Sequence, residues 1–366
     1  HAAAARMGKV KDWGWAEKEG PQRAAKVTGE SVRFSLIMPD LFDRVGGRIV
    51  TVGSTMALRD TFGLRDVQSG NWVLRDVASA QWHTQQAANA FADLADLLGA
   101  ADAAVAFKGR LAMAFGARGT GASGWRDTAA RAHYESVHRV INITKMKGGG
   151  TLAHEWFHAL DNLVSEALTG NPAHQELYAT EAPATIPAGP VRDALVGLRA
   201  ATLDGQHRPT NKFVYTKEDV ATAKRNVDSN YPNAVARKIK AAPTVHAAVQ
   251  AVHDHFAEGS PAAKVTPARK LKRLAADWAR LAVAYHGGNP AGGEVAVEAG
   301  PAMSSFALEA RKLDQGKGPY FSATTELAAR AFQGWVEDRL KGQGRRNDYL
   351  SAGADNRLYD WEKPFP

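Results

Sequence analysis

The 366-residue chain contains no cysteine, which removes disulfides, thiolate metal sites and cysteine nucleophiles together and leaves any bound metal to histidine and carboxylate ligands. It has no apolar run near the ~20 residues that a membrane span needs, and no signal-peptide pattern at its start. No internal repeat is visible, and the GxxxxGK[ST] pattern with its strand-loop-helix frame is missing, which argues against phosphate binding by the glycine-rich stretch. The lack of cysteine leaves the redox compartment open with a lean towards the cytosol. What is present is ordinary for a folded protein: 45% hydrophobic and 23% charged residues, and enough length for one large domain or two average ones without covalent staples. The formal charge of +8 would suit an acidic partner. Basic residues are spread from Arg6 to Arg357, however, and the one compact cluster is Arg269-Lys270-Leu271-Lys272-Arg273, so nucleic acid is expected as a secondary partner only. The start at His1 and the end at Lys363-Pro364-Phe365-Pro366 read as cuts in a longer polypeptide.

Residues 1–60 form a polar, basic segment in which Val32–Ile37 reads as a short strand. A helix is expected over about Ser79–Leu98, stopped by Gly99. The glycine-rich stretch Leu111–Gly121 predicts hairpin turns, and the β-branched run Val137–Thr144 predicts a strand. After Gly148-Gly149-Gly150, Thr151 can cap a helix running from Leu152 to about Leu168 and ending near Gly170. From there to about Ala310 the pattern is mostly helical, with loops at 183–190, 205–211 and 287–293. Its amphipathic segments Ala242–Phe256 and Pro267–Tyr285 read as packed helices, and His246, His253 and His255 within them as ordinary helix histidines. A final helix over about Thr325–Leu340 precedes a polar tail.

The chemistry sits in His154-Glu155-Trp156-Phe157-His158, an HExxH pattern. Residues four apart lie one helical turn apart on one face, so both imidazoles can reach one ion while Glu155 addresses a water beside it. Leu152, Ala153, Trp156, Phe157, Ala159, Leu160, Leu163, Val164, Ala167 and Leu168 make a broad apolar side, and His154, His158, Asp161 and Ser165 line the opposite stripe. Neutral imidazoles with a carboxylate suit Zn2+, which would acidify a water whose proton Glu155 passes to the leaving amine. Asp161 is the expected partner for orienting an imidazole N–H. The third ligand is open. A metzincin would need glycine at Asp161 and histidine at Val164, so that class is excluded. Glu166, His174, Glu176 and the distant Glu326 remain, and helical periodicity places Glu326 on a polar, solvent-facing side with Arg330, Gln333 and Glu337, opposite Leu327, Ala328, Ala331, Phe332 and Trp335.

The segments Phe115–Gly119, Ala132–Glu135, Val140–Thr144, Leu152–Asn162 and Glu326–Phe332 resemble the metallopeptidase-like (HExxH) domain of large polyvalent proteins, long multidomain chains encoded by phages and conjugative elements. The resemblance runs from about Phe62 to the C-terminus and is weak over the first 45 residues and the 180–300 insert. Phe321 stands where that pattern has tryptophan, and Leu327-Ala328 where it has leucine-phenylalanine. It implies Glu326 as the third ligand of a gluzincin-like site, with its helix's polar face turned into a cleft. It also implies a setting in the cytoplasm of a bacterial host or recipient cell, with a host protein or peptide as substrate.

The expected fold is α+β. A zincin-like core has a small mixed sheet packed on the HExxH helix: 61–175 carries the motif, 176–305 is a helical insertion, and 306–366 brings the third ligand and the tail. A bound peptide would add as a strand along Val140, Ile141, Asn142 and Ile143, read as the sheet edge. Tyr320, Arg330 and His133 are the candidate donors to an oxyanion. The expected function is a zinc metallopeptidase. The alternatives are a nucleic-acid-associated module with a structural zinc, and a metal-dependent hydrolase or nuclease acting on a non-peptide bond.

Overall fold

A computed structural model describes residues 42–70, 77–117, 132–144, 148–170, 177–229, 234–314 and 319–352. The expected strand at 32–37, the second half of the glycine-rich stretch, His174, Glu176 and the tail from 353 lie outside the described residues. In chain order the elements are β1 (Arg44–Val45), α1 (Thr55–Phe62), β2 (Val67–Ser69), α2 (Val77–Leu98), β3 (Ala112–Phe115), β4 (Ala132–Glu135), β5 (Val140–Ile143), α3 (Leu152–Thr169) and α4 (Pro190–Leu203). There follow β6 (Thr210–Thr216), α5 (Lys217–Asp228), α6 (Ala234–Ala241), α7 (Val245–Phe256), α8 (Pro261–Val265), α9 (Ala268–His286), β7 (Gly292–Glu298), α10 (Ser305–Leu313), α11 (Thr324–Gly342) and β8 (Arg346–Asn347). Among the described residues no helix is long and apolar enough to cross a membrane.

The chain is α+β and divides into two compact units, one from His1–Thr202 with Leu313–Pro366 and one from Leu203–Lys312. The first unit holds a mixed four-stranded sheet in the order β2-β3-β5-β4, with β2, β3 and β5 parallel and β4 antiparallel to β5. Side chains of alternate strand positions point to one face, and Val67, Met113, Phe115, Ile141 and Ile143 pack there with Phe91 and Leu94 of α2 and Leu152, Ala153 and Trp156 of α3.

Several expectations change here. Within the stretch where hairpin turns were expected, Ala112–Phe115 supplies a buried parallel strand, because its small and apolar side chains fit between β2 and β5. The strand expected over Val137–Thr144 is shortened to β5, since Ser136–Arg139 form the turn from β4 and Arg139 takes a φ of 50°. The run Val140–Ile143 is not an edge: β5 is hydrogen-bonded on both sides, to β3 and β4, and is buried throughout. The antiparallel edge is β4.

The glycine triplet allows a tight entry into α3. A Cβ on Gly149 would fall 2.5 Å from the Phe42 ring, and Gly150 has a φ of +85°. Thr151 does not cap with its side chain; its hydroxyl donates to the Gly148 carbonyl instead. The helix start is served by the C-terminal segment, where Ala153 N–H donates to the Leu350 carbonyl and Gly150 N–H to that of Tyr349. The Gln333 amide donates to the Gly150 carbonyl, so α11 is tied to the same point. Packing completes the attachment: the Phe332 ring lies 5.6 Å from Trp156 and 5.2 Å from Phe157, and Phe157 clusters with Ala328 and Ala329. Each such aromatic pair is worth about 0.5–1.5 kcal/mol beyond the area it buries. Helix α11 is thereby fixed alongside the HExxH helix.

The second unit is mostly helical. It contains the expected helices α7 and α9, packed around Val220, Val227, Val235, Ile239, Val249, Val252 and Val283. It also contains an antiparallel pair, β6 with β7, in register from Thr210 opposite Glu298 to Thr216 opposite Gly292. Those strands were not expected. Their alternation is diluted by Lys212, Ala296 and the flanking glycines, and the two partners are some eighty residues apart in sequence.

Candidate metal centre

Helix α3 presents His154 and His158 one turn apart, with their Nε2 atoms 3.1 Å from one another and their rings edge to face. Glu326, in the first turn of α11, meets both: one carboxylate oxygen is 3.5 Å from His154 Nε2 and the other 3.4 Å from His158 Nε2. Among the described residues these three form the one group of His and acidic side chains whose ligand atoms converge. A tetrahedral ion about 2.1 Å from each ligand atom separates its ligands by about 3.4 Å, and the separations here, 3.1 Å between the imidazoles and 3.4 and 3.5 Å from each imidazole to its facing carboxylate oxygen, are of that size. Two imidazoles and a carboxylate are also a donor set that suits zinc.

The electrostatics fit a shared cation. Burial raises the pKa of the Glu326 carboxyl, but hydrogen bonds and charge from His154 and His158 outweigh it and hold the group well below the usual carboxylate range. Burial lowers that of His158, and the contact with Glu326, reinforced by the charges of Glu155 and Asp161, reverses the balance and raises it. Arg330, one turn along α11, donates to Glu326 at 2.9 Å and to the Phe321 carbonyl at 2.9 Å, with its guanidinium 4.8 Å from the Phe321 ring. This explains why the polar side of α11 is not solvent-facing as periodicity suggested. Arg330 and Gln333 are buried, with the two Arg330 Nη atoms and the Gln333 amide donating to partners inside the protein, whereas Trp335, expected inside, is 37% exposed.

Glu155 is buried beside the pair, and among the described residues its carboxylate has no hydrogen bond or ion pair. Asp161 does not hydrogen-bond an imidazole. Its carboxylate accepts from the Thr180 amide at 2.8 Å and the Thr180 hydroxyl at 2.5 Å, while His158 Nδ1 has no partner among the described residues. The influence of Asp161 on His158 is therefore one of charge. With Asn162, whose amide donates to the Leu177 carbonyl, Asp161 clamps the 177–180 segment against α3.

That clamp brings in a residue that sequence reasoning missed. The Tyr178 ring lies 5.9 Å from that of His158, and its phenol pKa is pushed up to about 12 by burial and then by Asp161 and Glu155, which keeps it a proton donor. No periodicity marks Tyr178. The only sequence signal is the acid-amide pair Asp161-Asn162 just past the motif, whose partners cannot be identified without the fold. Tyr320 stands at the rim, 61% exposed. A second missed residue, Asp314, holds Tyr320's loop by accepting from the amides of Tyr320, Phe321 and Ser322 and from the Ser322 hydroxyl. His133 lies on edge strand β4 and pairs with Glu135 at 3.2 Å. Glu166 is engaged by Arg110 and Arg139 at 2.9 and 2.7 Å and is not brought to the cluster. Asn142 is wholly buried in the sheet, so the β5 side chains are not available to a peptide.

No curated protein and no solved structure matches the chain. Residues 313–364, the stretch that supplies Asp314, Tyr320, Glu326 and Arg330, match the family model of large polyvalent protein-associated domain 1.

Proposed function

We propose that this protein is a zinc-dependent hydrolase acting on peptide bonds, with His154, His158 and Glu326 as metal ligands and Glu155 as general base. The observation that carries the reading is the convergence of three ligand atoms from positions 154, 158 and 326 beside Glu155, whose carboxylate has no hydrogen bond or ion pair among the described residues. A structural zinc is closed by four protein ligands, whereas a catalytic one keeps a position open. The described residues offer three. When bound, the ion would supply Lewis acidity, acidifying a water and polarising a carbonyl.

The chain's own residues do the rest. Glu155 accepts the proton of the attacking water and returns it to the leaving amine. Arg330 holds the Glu326 carboxylate in place, and Asp161 adds negative charge that favours a cation at His158. Tyr178, whose ring lies 5.9 Å from that of His158, and Tyr320 at the rim are the candidate donors to a developing oxyanion. A bound peptide would lie along the antiparallel edge β4. This fits a zincin-like core, and the polyvalent-protein match supports a setting in a mobile element acting on proteins of a bacterial host.

The test is casein cleavage and self-cleavage with bound metal measured in parallel. The parent should cleave and carry zinc, and Glu155→Gln should keep the zinc and lose cleavage. A fully zinc-loaded parent that cleaves neither, or a mutant that cleaves like the parent, would sink the mechanism.

A further inference from the structure

The charge of the molecule is unevenly placed. Leu203–Lys312 contains sixteen Lys and Arg against ten Asp and Glu, a net +6 of the chain's +8. Four of these sixteen cations are paired within the unit: Arg280 with Asp219 and Asp277, Lys240 with Asp228, Lys212 with Glu294 and Lys312 with Glu309.

Among the described residues, the densest run of unpaired cations is at one end of the unit. Arg269, Lys270, Lys272 and Arg273 occupy the first turns of α9, all exposed, and none has an ion-pair partner among the described residues. Lys264 on α8 is likewise exposed and unpaired among them. Helix α8 packs against both α7 and α9, which keeps Lys264 beside the start of α9. Lys238 of α6 belongs to the same end, because its charge, after burial, lowers the pKa of His255 in the last turn of α7. Glu258 is the one acid between Phe256 and Arg273.

These cations do not serve the fold. Positive side chains in the first turns of a helix oppose its dipole, and here no acidic residue in the first turn offsets them. Burial does not explain them either, since they are exposed. A partner of high negative charge density does. Duplex nucleic acid carries one charge per ~1.7 Å of axis, and exposed Lys and Arg on long stems suit its phosphates. Single strands are held largely by stacking on aromatic rings. Among the described residues of this unit no Trp, Tyr or Phe is exposed, so the surface is fitted to a backbone and not to bases.

We infer that the α8–α9 end of the second unit, through Lys238, Lys264, Arg269, Lys270, Lys272 and Arg273, binds the phosphate backbone of duplex nucleic acid without sequence preference. This surface is separate in its residues from the metal cluster, and its binding does not require the metal.

The test is fluorescence polarisation of the full chain with a labelled DNA duplex of about 20 base pairs. Five phosphate contacts give a log–log salt slope of about −4.5 and an affinity loss of about 500-fold between 50 and 200 mM salt. Replacing Arg269, Lys270, Lys272 and Arg273 together with Gln should reduce the slope by about 3–4 and raise Kd more than tenfold. A control replacing Lys212, Lys217, Lys224 and Arg225 with Gln removes the same charge elsewhere in the unit and should keep most of the slope. Treatment with a chelator should leave binding unchanged, which separates this result from the hydrolase reading. Three results would each overturn the inference: no duplex binding at 50 mM salt, equal losses in the two quadruple variants, or tighter binding to phosphatidylserine vesicles through the exposed Val265 than to the duplex.

Discussion

Replacing Asp314 with Ala removes the acceptor that organises the approach to α11. The carboxylate is buried and takes four donors, the amides of Tyr320, Phe321 and Ser322 at 2.9, 2.6 and 3.3 Å and the Ser322 hydroxyl at 2.5 Å. Hydrogen bonds to a charged group are worth about 1.5–3 kcal/mol each, but four on one carboxylate are far from additive and the freed amides can meet water. A loss of about 2–4 kcal/mol follows, or roughly 4–16 °C in Tm for a unit of this size at about 2–4 °C per kcal/mol.

The same contact makes a pH prediction. Burial raises the Asp314 pKa, but the Ser322 hydroxyl and the three amides outweigh it and lower the value below that of a free aspartate. A depressed carboxyl contributes its stability above its unfolded pKa of ~3.9 and loses it as pH falls towards the folded value. The stability gap between the parent and Asp314→Ala, measured by urea denaturation, should thus be constant above pH ~5 and shrink below pH ~4. Because the loop leads into the turn that carries Glu326, zinc affinity should also fall, by about 10–100-fold. A variant with unchanged Tm, or a gap that widens in acid, would refute the reasoning.

Phe332→Ala removes the ring held between Trp156 and Phe157. The expected loss is about 2–3 kcal/mol, below the ~3–5 of a fully buried phenylalanine because this ring keeps some exposure, and zinc affinity should fall with it as α11 loosens. Denaturation and a chelator-competition titration on one sample read both effects, and a stable variant with weakened zinc binding would contradict the link. Glu166→Ala breaks the pairs with Arg110 and Arg139 and should lower stability by about 1–2 kcal/mol while leaving zinc stoichiometry unchanged. A drop in bound zinc would return Glu166 to the ligand set.

The readable parts of this protein were those governed by local rules. The turn-by-turn spacing of His154 and His158, the helix stops at Gly99 and Gly170, and the amphipathic helices α7 and α9 follow from helical geometry alone. Periodicity failed at α11, because it sorts residues by polarity, whereas the polar side of that helix is buried by specific pairs: Glu326 with the histidines and Arg330, and Gln333 with Gly150. It was the resemblance of the Glu326–Phe332 run that pointed inward. The β5 strand was recognised from its branched residues, but its place in the sheet depends on β3 and β4, which strand propensity does not encode. Tyr178 was invisible because a loop residue acquires its neighbours only when Asp161 and Asn162 fasten the 177–180 segment.

The central claim is that His154, His158 and Glu326 jointly hold one metal ion, and equilibrium zinc titration against a competing chelator tests it most directly. The account predicts one zinc per chain in the parent and in Glu155→Gln, a large loss of affinity in His154→Ala and His158→Ala, and a loss of about 10-fold or more in Glu326→Ala. A folded parent that binds no zinc, or a Glu326→Ala variant that binds it as tightly as the parent, would contradict it.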